Sequence, residues 1–177
     1  MTKNKIIAIH GPAGIGKTAI AGKLCRKLPG KNARISTDYL RDMLCMQYGS
    51  GRMSDRYIVL AKKLVPALTK ELLDQGYNVV IEIAPPTLED RGAADDRLVK
   101  KIKNMGGKVF FLHAPLDSVL KRNKKRRGEF GQGNLSRKLT EQLYKYCEQH
   151  LNFEDYILIS TDKIGADKTT SLILEKI

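Results

Sequence analysis

Five short apolar runs punctuate the chain: KIIAIH (5–10), ARIS (33–36), NVVIEI (78–83), KVFFL (108–112) and YILIS (156–160). Their length and their β-branched or aromatic content predict buried strands. The stretches between them carry a helical period instead. In SDRYIVLAKKLVPALTKELLDQG, Ser54 is placed to cap the start, and Tyr57, Leu60, Ala61, Leu64, Leu68 and Leu72 form one apolar face. Gly76 supplies the stop, and Pro66 predicts a kink. Further helices are expected over Lys17 to Leu28, Asp38 to Tyr48, Leu88 to Met105, Leu116 to about Arg127, Ser136 to His150, and Asp167 to the end. Pro29-Gly30 and Gly106-Gly107 close two of them. Strands alternating with helices predict an α/β fold, a doubly wound five-stranded parallel sheet with helices on both faces. No repeat, low-complexity tract or linker interrupts it, so residues 1–177 read as a single domain.

Composition adds a compartment and a charge. A 42% hydrophobic content is enough for a proper core, and three cysteines without CxxC spacing argue against a disulfide framework. No apolar run approaches the roughly 18 residues that span a bilayer, and IIAI is too short for a signal-peptide core. The expectation is a soluble, cytoplasmic protein with no membrane partner; oligomeric state is left open. The net charge of +13 favours phosphorylated or polyanionic partners. Lys121 to Lys138 hold eight basic residues and one acid, which concentrates much of that charge in one anion-binding segment.

Gly11 to Thr18 read GPAGIGKT, the G-x-x-x-x-G-K-[ST] pattern, between a predicted strand and a predicted helix. In that context Gly11, Ala13, Gly14, Ile15 and Gly16 wrap backbone N–H groups round phosphate oxygens. Lys17 adds a full charge, expected to face solvent at the phosphates, and Thr18 offers a hydroxyl to Mg2+. Asp38 lies just beyond the second predicted strand, where ligands gather in doubly wound sheets, and Arg41 follows one helical turn later. Asp38 can accept a proton from an attacking hydroxyl, and Arg41 can hold an anionic group on the acceptor. A helix cap with a solvated arginine is the plainer alternative. Glu82, ending the third strand, can hold Mg2+ or orient Arg41, or be a solvated strand-end acid; Arg91 is a candidate acceptor contact or a helix-start residue paired with an acid. In KRNKKRR, Arg122 and Arg126 are one turn apart and can converge on one anion, which beside a P-loop is ATP; a solvated charge run or a nucleic-acid patch is the alternative. A mobile arginine at a transferring phosphoryl is worth about 10³–10⁵ in rate. Residues 116–138 therefore read as a small helical lid, with EFGQGNL (129–135) as its hinge. His10, His113 and His150 lack metal-ligand spacing, and Tyr144, Cys147 and Leu151 recur as a core stripe.

Together GPAGIGKT, STDYLR, VVIEIAPPTLEDR and LKRNKKR resemble the P-loop kinases of the nucleoside monophosphate kinase-like group, and within it the polynucleotide kinase-like branch, over nearly the whole chain. The resemblance implies an ATP- and Mg2+-dependent kinase. Lys17, Asp38 and Arg126 would be catalytic, with Asp38 as general base; Arg41 would contact an acceptor phosphate. Arg122 and Arg126 would touch the nucleotide, and Thr161 and Asp162 would lie near the adenine. The acceptor would be a hydroxyl, at the 5′ end of a nucleic acid or on a small metabolite, phosphorylated small molecule or nucleotide. One departure is that IEIAPP replaces the aspartate and small polar residues common after the third strand, so Glu82 matches imperfectly. A rival of another class is a nucleotide-binding regulatory or RNA-associated protein with little turnover. No N-K-x-D tetrad supports a GTPase.

Overall fold

A computed structural model of the protein describes residues 4–44, 55–86, 92–125 and 135–177. Five strands, β1 (Ile6–His10), β2 (Lys31–Ser36), β3 (Tyr77–Glu82), β4 (Lys108–His113) and β5 (Ile157–Ser160), form one sheet in the order β2-β3-β1-β4-β5, every pair parallel. Among the described residues seven α-helices connect or flank them: α1 (Lys17–Lys27), α2 (Thr37–Leu44), α3 (Asp55–Asp74), α4 (Ala93–Asn104), α5 (Leu116–Lys125), α6 (Arg137–His150) and α7 (Ala166–Leu174). Both faces of the sheet are covered, which is why the strands read as unbroken apolar runs. From β1, Ile7 and Ile9 pack with Ile20 and Leu24 of α1 and Ile173 of α7. Ile6 and Ala8 pack on the opposite side with Val65 of α3, Leu98 and Ile102 of α4, and Cys147 of α6.

Helix boundaries agree with the sequence except near the site. α4 begins at Ala93 behind Gly92, whose φ of 82° interrupts the predicted helix; its expected start at Leu88 lies outside the described residues. The proposed cap Ser54 and the ends of the predicted helices at Tyr48 and Arg127 lie outside the described residues, as does the hinge apart from Leu135. In α3 the predicted apolar face is off by one position. Leu60 and Leu68 are exposed, while Ile58, Ala61, Lys62, Val65 and Thr69 are buried. The reason is that two polar residues belong to the buried stripe. The Thr69 hydroxyl donates to the Val65 carbonyl at 2.8 Å, and Lys62 has a buried partner.

That partner is Asp95 in the first turn of α4. Lys62 Nζ donates to its two carboxylate oxygens at 2.8 and 2.7 Å, and to the Pro85 carbonyl at 3.3 Å. Neither charged side chain reaches solvent. His10 completes the cluster. Its Nδ1 is 3.0 Å from the Tyr156 hydroxyl, and its Nε2 lies 3.2 Å from Asp95 Oδ1 without an aligned hydrogen bond. Burial alone would raise the pKa of Asp95, but Lys62 and then His10 overcome it and hold the carboxyl below its ordinary range. Burial is the main reason the His10 imidazole sits below its ordinary pKa, against the opposing pull of Asp95. Both shifts act in one direction. The unfolded chain binds these protons more readily, so stability falls as pH drops below about 6.5 for His10 and again through the lowered Asp95 value.

Removing one partner of a buried ion pair costs about 3–5 kcal/mol, while replacing both by apolar groups is often neutral. Lys62→Met should therefore lower the unfolding free energy in a urea titration by about that amount, and Lys62→Met with Asp95→Leu should recover most of it. Equal losses in the single and double variants would show that the ion pair is not what the fold depends on.

Candidate active site

The phosphate loop leaves β1 at Gly11, whose φ is 141°. A Cβ there would stand 2.7 Å from the Leu112 carbonyl of β4, so only glycine lets the chain turn this close to the sheet. At the crown of the loop Gly14 has φ 82°, and a Cβ would press on Asn123 of α5 at 3.3 Å. Asn123 is itself buried, and its Nδ2 donates to the Leu135 carbonyl at 2.7 Å and to Thr140 Oγ1 at 3.1 Å. It thus joins the loop, α5 and the start of α6. The sequence offered no sign of this role, because an asparagine among lysines reads as surface.

Lys17 is not turned to solvent as expected. It is 6% exposed, and its ammonium donates to the Gly11 carbonyl at 2.8 Å and the Pro12 carbonyl at 3.0 Å. Wrapping the loop so tightly directs carbonyls inward, and the cation at the start of α1 satisfies them. The next residue, Thr18, donates through Oγ1 to Glu82 Oε1 at 2.5 Å. Glu82 is 3% exposed and its Oε2 is buried without a hydrogen-bond partner.

Sheet register explains the meeting. Glu82 pairs with Ile9 of β1 on one side and Ser36 of β2 on the other, so it stands between the phosphate loop and the start of α2. Thr37 locks that junction: its hydroxyl donates to the Glu82 carbonyl at 3.4 Å and accepts from the Ala84 N–H at 2.7 Å. Asp38 follows at once, near enough for its charge to act on Glu82. Burial foremost pushes the Glu82 carboxyl above its ordinary pKa; Thr18 and Lys17 oppose this, and Asp38 adds to it.

Asp38 and Arg41 are in contact, Nη1 to Oδ1 at 2.9 Å, and Arg41 also reaches Asp42 through Nε at 3.0 Å and Nη2 at 2.7 Å. Arg122 faces neither residue. Its Nη1 donates to Thr161 Oγ1 at 2.9 Å and the Ile15 carbonyl at 3.3 Å, and its Nη2 donates to the carbonyls of Thr161 and Asp162. The side chain of Asp162 in turn accepts from Ser118 Oγ at 2.5 Å. The structure therefore brings Arg122, Thr161 and Asp162 together beside the phosphate loop. Lys17, Thr18, Glu82 and Asp38 gather on its other flank. Arg91 and Arg126 lie outside the described residues. Among the described residues no group of His, Cys, Asp and Glu forms a metal cluster, and no helix is long and apolar enough to cross a membrane.

No curated protein matches the chain in sequence. Among solved structures, the tunicamycin resistance protein of Deinococcus radiodurans is similar at 24% identity and a TM-score of 0.65, over 98% of this chain and 95% of that one. Shikimate kinase of Bacteroides thetaiotaomicron is similar at 16% identity and a TM-score of 0.65, over 97% of each chain. A chain of an RNA repair complex is similar at 23% identity and a TM-score of 0.59, over 86% of this chain but 48% of its own. The parallel sheet with helices around it is the P-loop kinase fold. A family profile described as an AAA domain matches residues 6–150, from the first residue of β1 to the last of α6. Because that span holds the phosphate loop, the Glu82 junction and Arg122 alike, the chain belongs to this AAA-domain family.

Proposed function

We propose that the protein is an ATP-dependent phosphotransferase that moves the γ-phosphoryl group to a hydroxyl on a small molecule. The observation that carries this reading is the Glu82 junction, which brings Asp38 to the same strand ends as the phosphate loop. A protein that only bound nucleotide would need the loop but no carboxylate on its far side.

The residues divide the work in a definite way. The loop backbone and Lys17 hold the phosphates of ATP. Arg122 fastens Thr161 and Asp162 against the loop and so shapes the place for the base. Asp38, its orientation fixed by Arg41, takes the acceptor's hydroxyl proton as that oxygen bonds to the γ-phosphorus and the bridging oxygen departs with ADP. Thr18 and Glu82 fit a hard divalent cation, since hydroxyl and carboxylate oxygens are its ligands and the buried Oε2 of Glu82 lacks a partner. Mg2+ held there would neutralise charge on the phosphate oxygens. Arg126 would reach the nucleotide from the lid segment, 116–138, whose α5 part is anchored through Arg122 and Asn123, within a single 1–177 domain.

A second reading keeps the same chemistry with a polynucleotide 5′-hydroxyl as acceptor. It draws on the polynucleotide kinase-like motifs, on the likeness to the RNA repair chain, and on exposed Lys121, Lys124 and Lys125 of α5. The small-molecule reading is preferred because the Arg41 guanidinium is already engaged by two carboxylates. The enzyme's place would be the cytoplasm.

Transfer of label from γ-labelled ATP to nucleosides, sugars, polyols and 5′-hydroxyl oligonucleotides tests the assignment. Asp38→Asn should lower transfer by about 10²–10⁴-fold, the usual contribution of a general base, with affinity for a non-hydrolysable ATP analogue unchanged. Lost nucleotide binding with an intact rate per bound complex would make Asp38 a structural cap.

Glu82 gives a test that needs no turnover. A carboxyl whose folded pKa is raised contributes stability at low pH that is lost as pH rises through the folded value, so at neutral pH its buried charge is a burden. Glu82→Gln should raise the melting temperature of the ligand-free protein by about 2–4 °C, the effect of relieving roughly 1 kcal/mol in a chain this size. The further rise on adding Mg2+ with the ATP analogue should shrink. An undiminished ligand-induced rise would remove Glu82 from the cation site.

A further inference from the structure

The acceptor side of the site contains a residue outside the motif, Asp42. In α2 Asp38 lies one turn before Arg41 and Asp42 directly after it, and both carboxylates reach the guanidinium. All three side chains are about four-fifths buried, so their contacts are partly shielded from solvent. A guanidinium recognises phosphate or carboxylate through a pair of N–H groups along one edge. The Nε/Nη2 edge of Arg41 ends on a single oxygen of Asp42, at 3.0 and 2.7 Å, and Nη1 ends on Asp38. The edge that would grip an anionic acceptor is occupied by the protein's own carboxylate. An incoming phosphate would have to displace Asp42 and remain next to it and Asp38, two like charges against one guanidinium.

We infer that Asp42 is a specificity-determining residue. By occupying Arg41 it excludes acceptors that carry a phosphate or carboxylate beside the reacting hydroxyl, and it selects neutral or cationic hydroxyl compounds such as nucleosides, polyols and amino alcohols. Arg41 becomes a positioning residue for Asp38 and not an anion receptor. The inference rests on the phosphotransferase reading only in calling the ligand an acceptor; the occupied edge stands by itself.

The test follows the Arg41 Nε–H resonance in the full chain, saturated with Mg2+ and a non-hydrolysable ATP analogue so that the phosphate loop is filled. Inorganic phosphate, adenosine 3′-monophosphate and adenosine are titrated in turn at millimolar concentration. In the parent the resonance should not respond to either phosphate. In Asp42→Asn, a neutral replacement of the same shape, it should respond to both, with binding at least about tenfold tighter than in the parent, the gain that one charge-assisted contact supplies. A response of the parent resonance to either phosphate overturns the inference, and so does silence in both proteins, since Asp42 would then not be what closes the edge. The parent titration alone decides the first of these even if the variant fails to fold. Label transfer separates the two levels of the argument. No transfer to any hydroxyl would sink the phosphotransferase reading, whereas transfer by the parent that prefers adenosine 3′-monophosphate to adenosine would sink only the inference.

Discussion

Pairing of β3 between β1 and β2 is the constraint on which the site depends. It sets the end of β3 level with the exit of β1 on one side and of β2 on the other. Each neighbour then delivers a helix start: α1 brings Thr18 to the Glu82 carboxylate, and α2 brings Thr37 to its backbone. A residue's slip in either register would turn the Glu82 side chain to the other face of the sheet and separate the two helix starts from it. The placement of the phosphate loop and that of the start of α2 are consequences of one hydrogen-bonded ladder.

A second constraint lies beneath that ladder, where Lys62, Asp95 and His10 fill space that hydrocarbons could fill. Two buried ions are a costly way to join α3 to α4. What an apolar pair could not do is bind polar backbone as well. Lys62 also holds the Pro85 carbonyl, and His10 immediately precedes the phosphate loop. The cluster thus connects the segment leaving β3 to the segment leaving β1 from below, as Thr37 and Thr18 do from above.

Local patterns made much of this legible. The five strands, the phosphate loop and the positions of Asp38 and Glu82 at strand ends all follow from runs and spacings within a few residues. Hidden features were those whose logic is tertiary. The buried face of α3 is hidden in the sequence because Lys62 and Thr69 look like surface residues until their partners, one of them 33 positions away, are known. Thr37, between a serine and the more conspicuous Asp38, gave no signal, since its partners are backbone atoms of another strand. The inward turn of Lys17 and the tether made by Arg122 were invisible for the same reason: their acceptors are carbonyls, which every residue possesses. A motif names the side chains but not the atoms they meet.

The strand order also bears on how the chain acquires its structure. β1 is the central strand, yet its neighbours in the sheet are β3 and β4, and it pairs with nothing closer in sequence: Ile9 meets Glu82, and Ile7 meets Lys108. Contacts this distant are closed late and slowly, because the entropy of a long loop must be overcome before they stabilise anything. During synthesis the phosphate loop emerges before β3 and β4, and it has no floor until β3 arrives and no wall until Leu112 of β4 stands beside Gly11. Nucleotide binding is therefore a late acquisition of the growing chain. Until then β1 is an apolar strand with two open edges, the form in which a nascent chain most needs protection from its neighbours.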